Sequence, residues 1–269
     1  MALGLALSAA FAMNAAAAPA EPLVKELAIV PKTILIVGNS YMYYNCGMNG
    51  YLKGMIAQKL NPKVKTRIAA TGRSNMSQQP IEELLDNSKL RSHDLRYGTI
   101  EDRLLEKEIK KREKYELVLM QGSNRGVDDQ ARDAHYVKIH AEAIRKQGGT
   151  PAMIMTWTQK KKSAPAFEVV QEGVTKIAND NNMMVIPVGI AFNKAQARYP
   201  ELKFIMPDNT HPTAIGSYLM ASTIFASVYN RDPMEAVDFA GGCEKPIDKD
   251  IREKLHAVAW ETVREFYKR

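Results

Sequence analysis

The sequence predicts an α/β protein: a three-layer α/β/α sandwich around a mostly parallel five-stranded sheet. Two observations carry that prediction. Five short apolar runs recur along the chain, at Thr33–Val37, Val64–Ala69, Glu116–Met120, Pro151–Thr156 and Met183–Val188. Unbroken apolar runs of this length suit parallel strands covered on both faces, whereas strands with one wet face would alternate. Helical patterns fill the intervals, and strand–helix–strand alternation folds into such a sandwich.

Each element has its own justification. The first strand, Thr33–Val37, is β-branched and aliphatic and stops at Gly38-Asn39-Ser40. Helical spacing is expected over Met48–Leu60, Thr99–Arg112, Ala131–Lys146, Pro165–Asn179 and Thr213–Tyr229. The last helix, Lys249–Tyr267, sets Ile251, Leu255, Val258 and Phe266 on one face. The polar, weakly periodic stretch from Ser74 to Tyr97 reads as a loop with a short helix beside the site. No internal repeat or inter-domain linker interrupts residues 21–269, so they are expected to form a single domain.

The bulk composition bounds the class. The chain has 269 residues, 45% apolar and 25% charged, as expected of a globular protein with a sizeable core. Its formal net charge is +7, but the cations lie mostly along helical patterns such as Lys107 to Lys114. Zinc-finger spacing, an RNA-binding aromatic signature and a basic arm are all lacking, which speaks against nucleic acid as a partner. The first twenty residues are uncharged and rich in Ala and Leu, with Ala-x-Ala endings near Ala16-Ala18 or Ala18-Ala20. They read as a signal peptide without a basic start, so export to the periplasm or outside the cell is expected, with no stable membrane insertion. Cys46 and Cys243 either pair in that oxidising setting or stay as buried thiols.

Ligands of open α/β sheets sit at the carboxyl ends of the strands. Ser40, Gly72, Gln121 to Asn124 and Thr156 to Lys162 follow four strands and should converge on one edge. Asp208 and His211 lie three apart in a loop before a helix, close enough for the carboxylate to orient the imidazole. A serine at a strand end plus an oriented histidine is the logic of an activated nucleophile. His93, His135, His140 and His256 lack ligand spacing and read as structural or solvated, and no metal is expected.

These blocks resemble the SGNH (GDSL-type) hydrolases. Gly38-Asn39-Ser40 is similar to their Gly-Asp-Ser block, Gly72 to the second, Gly122-Ser123-Asn124 to Gly-x-Asn and Asp208-x-x-His211-Pro212 to the last. The resemblance spans about residue 33 to residue 230 and depends on four blocks in order, since no one block is specific. It implies a flavodoxin-like SGNH fold, a Ser40-His211-Asp208 triad, and an oxyanion hole from the N–H groups of Ser40 and Gly72 and the Asn124 amide. It also implies a carboxylic ester hydrolase without cofactor, removing acetyl or other short acyl groups from carbohydrate or a similar small ester. The alternatives are lipase-like or thioesterase activity on longer chains, or a non-catalytic carbohydrate-binding protein. Two positions depart from the pattern: Asn39 stands for the usual Asp, and Arg125 follows Asn124. The sequence Gly-Asn-Ser-Tyr-Met lacks the second glycine of an α/β-hydrolase elbow. Tyr41 and Trp157 either contact substrate or pack locally, and Lys160, Lys161 and Lys162 either form a solvated loop or attract an acidic polymer such as a uronate-containing polysaccharide.

Overall fold

The computed structural model describes residues 20–45, 47–60, 64–86, 89–93, 104–108, 114–241 and 245–269. Its strands are β1 (Thr33–Gly38), β2 (Lys65–Ala70), β3 (Lys89–His93), β4 (Leu104–Glu108), β5 (Leu117–Gln121), β6 (Thr150–Ile154) and β7 (Met184–Ile186). The helices are α1 (Gly47–Lys59), α2 (Ile81–Asp86), α3 (Val127–Lys146), α4 (Phe167–Asp180), α5 (Val188–Arg198), α6 (Ala214–Tyr229) and α7 (Lys249–Tyr267). The main sheet runs β2-β1-β5-β6-β7 with every pairing parallel. The predicted five-strand parallel sandwich is therefore what forms.

The alternation of β1 explains the three layers. Ile34 and Ile36 enter one core with α1, α5, α6 and α7, whereas Leu35 and Val37 enter the other with α2, α3 and α4. α6 is apolar all round because it is covered all round: every residue from Gly216 to Tyr229 is buried among the sheet, α1, α5 and α7. Among the described residues no helix is long and apolar enough to cross a membrane.

Three expectations need correction. The helix expected over Thr99–Arg112 is not what forms at 104–108, where β4 pairs antiparallel with β3. The register sets Lys89 opposite Glu108 and Arg91 opposite Glu106, and sheet pairing overrides the helix-forming composition. That same hairpin strand β3 lies in the stretch read as loop; its short helix is present as α2. The strand expected over Met183–Val188 ends at Ile186, because Pro187 starts the unanticipated helix α5. Cys46, Cys243 and residues 1–19 of the twenty-residue leader fall outside the described residues.

Candidate active site

β1 ends in glycine because a side chain has no room at position 38. A Cβ on Gly38 would lie 2.6 Å from Gln121 Oε1 and 2.7 Å from Met42 Cγ. Gln121, at the end of β5, accepts the Asn39 N–H at 3.0 Å, and the chain turns at once into a single 3-10 turn, Ser40–Met42. Asn39 caps that turn by accepting the Tyr41 N–H at 3.1 Å. Its Nδ2 donates to the Ser74 carbonyl at 3.1 Å. An aspartate could make the cap but not this second bond, so the amide at position 39 is matched to its setting.

The histidine arrives from a loop between α5 and α6. Met206 N–H donates to the His211 carbonyl at 2.8 Å, and Ile205 bridges antiparallel to Pro212. Asp208 Oδ1 accepts the backbone N–H groups of Thr210 and His211 at 2.9 and 3.0 Å. Asp208 Oδ2 lies 2.6 Å from His211 Nδ1, and His211 Nε2 lies 2.8 Å from Ser40 Oγ. Desolvation pushes the Asp208 carboxyl up, but the His211 ring and those two N–H groups together outweigh it and hold the carboxyl below its usual range. The structure thus brings the three sequence-predicted residues, 171 positions apart at their widest hydrogen bond, into one chain of contacts.

Residues close to the nucleophile and after β6 hold this loop. Tyr44 stacks on the His211 ring at 3.8 Å between centroids. Asn45, at φ +47°, donates to the Pro212 carbonyl at 2.6 Å. Both follow the nucleophile directly, and the aromatic run Tyr41-Met42-Tyr43-Tyr44 was the signal for them. Trp157 donates its indole N–H to the Thr210 carbonyl at 3.1 Å and stacks between Tyr41 and Phe192, at 4.7 and 4.0 Å.

The candidate oxyanion groups are less uniform. The N–H groups of Ser40 and Gly72 donate to no partner among the described residues. The Gly72 loop is stitched to the nucleophile by Gln79, whose Nε2 donates to the Gly38 carbonyl at 2.8 Å, and by Thr71 N–H, which donates to the same carbonyl at 3.1 Å. Asn124 is different: its Nδ2 donates to the Tyr41 hydroxyl at 2.7 Å and to the Trp157 carbonyl at 3.2 Å. Tyr41 and Trp157 are 4% and 1% exposed. The expectation that they present a face to substrate is corrected: they are packing beneath the site. Lys160, Lys161 and Lys162 are exposed, and the Lys160 N–H donates to the Asn209 carbonyl at 3.0 Å, which ties their loop to the Asp208–His211 turn.

One further group was missed. Asp133 on α3 is 1% exposed, and neither carboxylate oxygen has a hydrogen-bond partner among the described residues. With Asn39, Met76, Ser123 and Asn124 it lines a polar cavity of about 20 Å³, the size of one water. Burial pushes its carboxyl up to about 6, against the pull of the Met76 and Ser123 backbone and of Arg132. Its signal was a carboxylate on the apolar face of a helix, in step with Val137, Ala141 and Ile144. Of the remaining histidines, His135 is exposed, whereas His140 and His256 are buried against the Met76 carbonyl and the Tyr218 hydroxyl. The side chain of His93 lies outside the described residues.

Comparison with known proteins adds the fold's identity. No known family profile matches the sequence, and no curated protein does. Solved structures match. A protein of Slackia heliotrinireducens described as a candidate SGNH hydrolase superposes with a TM-score of 0.52 at 20% identity, over 72% of this chain and 97% of that one. The fold is that of the SGNH hydrolases. A DUF4886 family protein from Bacteroides uniformis shares this SGNH-like fold with a TM-score of 0.60 at 16% identity, covering 86% of this chain and 94% of its own. An acetyl xylan esterase does so at 0.51 and 14%, over 73% and 99%.

Proposed function

We propose that the protein is a serine ester hydrolase that releases acetyl or other short acyl groups from carbohydrate or a similar small ester. The observation that carries this reading is the unbroken sequence Asp208 Oδ2, His211 Nδ1, His211 Nε2, Ser40 Oγ at 2.6 and 2.8 Å. In the proposed mechanism His211 takes the Ser40 proton as the hydroxyl attacks the ester carbonyl. Asp208 fixes the ring and stabilises the imidazolium. The Ser40 and Gly72 N–H groups meet the oxyanion, and Asn124 joins them by exchanging its bond to Tyr41 for one to substrate. His211 then protonates the leaving alcohol, and water resolves the acyl-serine by the reverse route. The acetyl xylan esterase likeness supports a carbohydrate ester, and the buried Tyr41 and Trp157 support a short acyl group because they fill the space beside the nucleophile. We place the reaction in one exported domain over residues 21–269, a reading supported by the uncharged leader.

The test is hydrolysis of 4-nitrophenyl acetate with labelling of Ser40 by a fluorophosphonate. Ser40→Ala is expected to lower kcat by a factor on the order of a million and abolish the label. A Ser40→Ala protein as active as the parent would end the proposal. In an acyl-length series the acetyl ester should be turned over fastest; a maximum at long chains would move the reading to a lipase-like or thioesterase activity.

A further inference from the structure

Five cations border the candidate site on three different loops: Arg73 after β2, Arg125 after β5, and Lys160, Lys161 and Lys162 after β6. All five are exposed, and none has an ion-pair partner among the described residues. Some cations elsewhere are ion-paired: Lys194 and Arg198 share Glu261, Lys254 meets Asp250, and Arg231 meets Glu235. Each of the three loops is hydrogen-bonded to a residue next to Ser40 or Asp208 in sequence. Ser74, next to Arg73, accepts from Asn39 at 3.1 Å; Asn124, next to Arg125, donates to Tyr41 at 2.7 Å; Lys160 donates to Asn209 at 3.0 Å. Arg73 also sits at φ +61°, a left-handed backbone that glycine adopts with less strain, yet the position carries a long cationic side chain. Nearby acids offset the row only in part: Asp129 is paired with Arg132, while Asp128 and Asp208 set two negative charges against five positive ones. Unmatched charge of one sign along a cleft raises the local concentration of oppositely charged substrate.

We propose that this rim selects an ester whose alcohol part is an anionic polymer, a carboxylate-bearing polysaccharide lying across the three loops with its acyl group at Ser40. The proposal rests on the ester-hydrolase reading of the same site. Several loops with separate charges suit a chain of repeated negative charges better than a single small anion.

The experiment compares acetylated polygalacturonate with an acetylated neutral glucan, each rate taken relative to 4-nitrophenyl acetate for the same protein. The parent is expected to favour the anionic polymer by about tenfold at low salt and to lose that preference as salt shortens the Debye length to roughly 5 Å. Arg73→Gly, which suits the left-handed backbone, combined with Arg125→Ala and Ala at the three lysines, should erase both the preference and its salt dependence. An equal preference in parent and variant, or a parent indifferent to salt, overturns the rim. If the parent hydrolyses none of the esters and Ser40 takes no fluorophosphonate, the hydrolase reading fails instead. Salt-dependent retention of the Ser40→Ala protein on immobilised polygalacturonate then decides the rim separately: retention lost with the five cations upholds it, and no retention ends it.

Discussion

The two halves of the candidate site differ in how completely their polar groups are satisfied. On the histidine side, Asp208, Thr210, His211 and Pro212 are joined to each other, to Trp157 and to Asn45 by hydrogen bonds of 2.6 to 3.1 Å, and Tyr44 covers the ring. On the oxyanion side, the Asn124 amide is already engaged by Tyr41, the Ser40 and Gly72 N–H groups have no partner among the described residues, and a buried carboxylate, Asp133, stands without a hydrogen bond behind them. One half is a finished support, and the other is left open where charge would develop. Preorganised donors that are idle at rest are what transition-state binding requires.

That contrast can be broken at several points. The largest effect belongs to the finished half: His211→Ala should lower kcat on 4-nitrophenyl acetate at least about 10⁴-fold with little change in KM. On the open half, Asn124→Ala should cost about 10²-fold in kcat, whereas Tyr41→Phe frees the amide and should cost less. Equal losses in the two would assign the Tyr41 hydroxyl a direct role and sharpen the contrast.

Asp133 gives a pH signature. Its carboxyl is about 6 in the fold against an ordinary value of 3.8, so the folded state binds the proton more tightly than the unfolded chain. Its contribution is most favourable below about pH 4 and is lost as pH rises through about 6. The difference is worth up to about 3 kcal/mol at pH 8. Asp133→Asn should therefore flatten urea-measured stability between those pH values and raise the melting temperature at pH 8 by a few degrees, on the order of 5 °C. An unchanged pH profile would show that the carboxylate is solvated after all. The smallest effect is expected at Asn39→Asp, which sets a carboxylate against the Ser74 carbonyl and should cost about 1 kcal/mol in the same unfolding measurement.

Much of the frame was legible because strand and helix periods are local. β1, β5 and α7 fall where the apolar spacing puts them. Ser40, Asp208 and His211 were legible too, since strand ends and a three-residue spacing are visible in one dimension. What was not legible depends on distant partners. Leu104–Glu108 has helix-forming composition and becomes a strand only by pairing with Lys89–His93. Trp157 and Tyr41 looked like binding aromatics until Phe192, from an unanticipated helix, completed their stack. Asp133 could be recognised as a buried charge only once α3 was laid against the Ser74–Met76 turn.

The outer edge of β7 carries a lesson of another kind. Only three residues long, that strand is flanked by Val24, which bridges to Met184, while Asn179 clasps the backbone at Glu21 and Leu23 with bonds of 2.9 Å. Loss of the chain up to Val24 would unzip this seam and bare a strand to sticky self-pairing, so the segment before β1 shields the edge of the sheet.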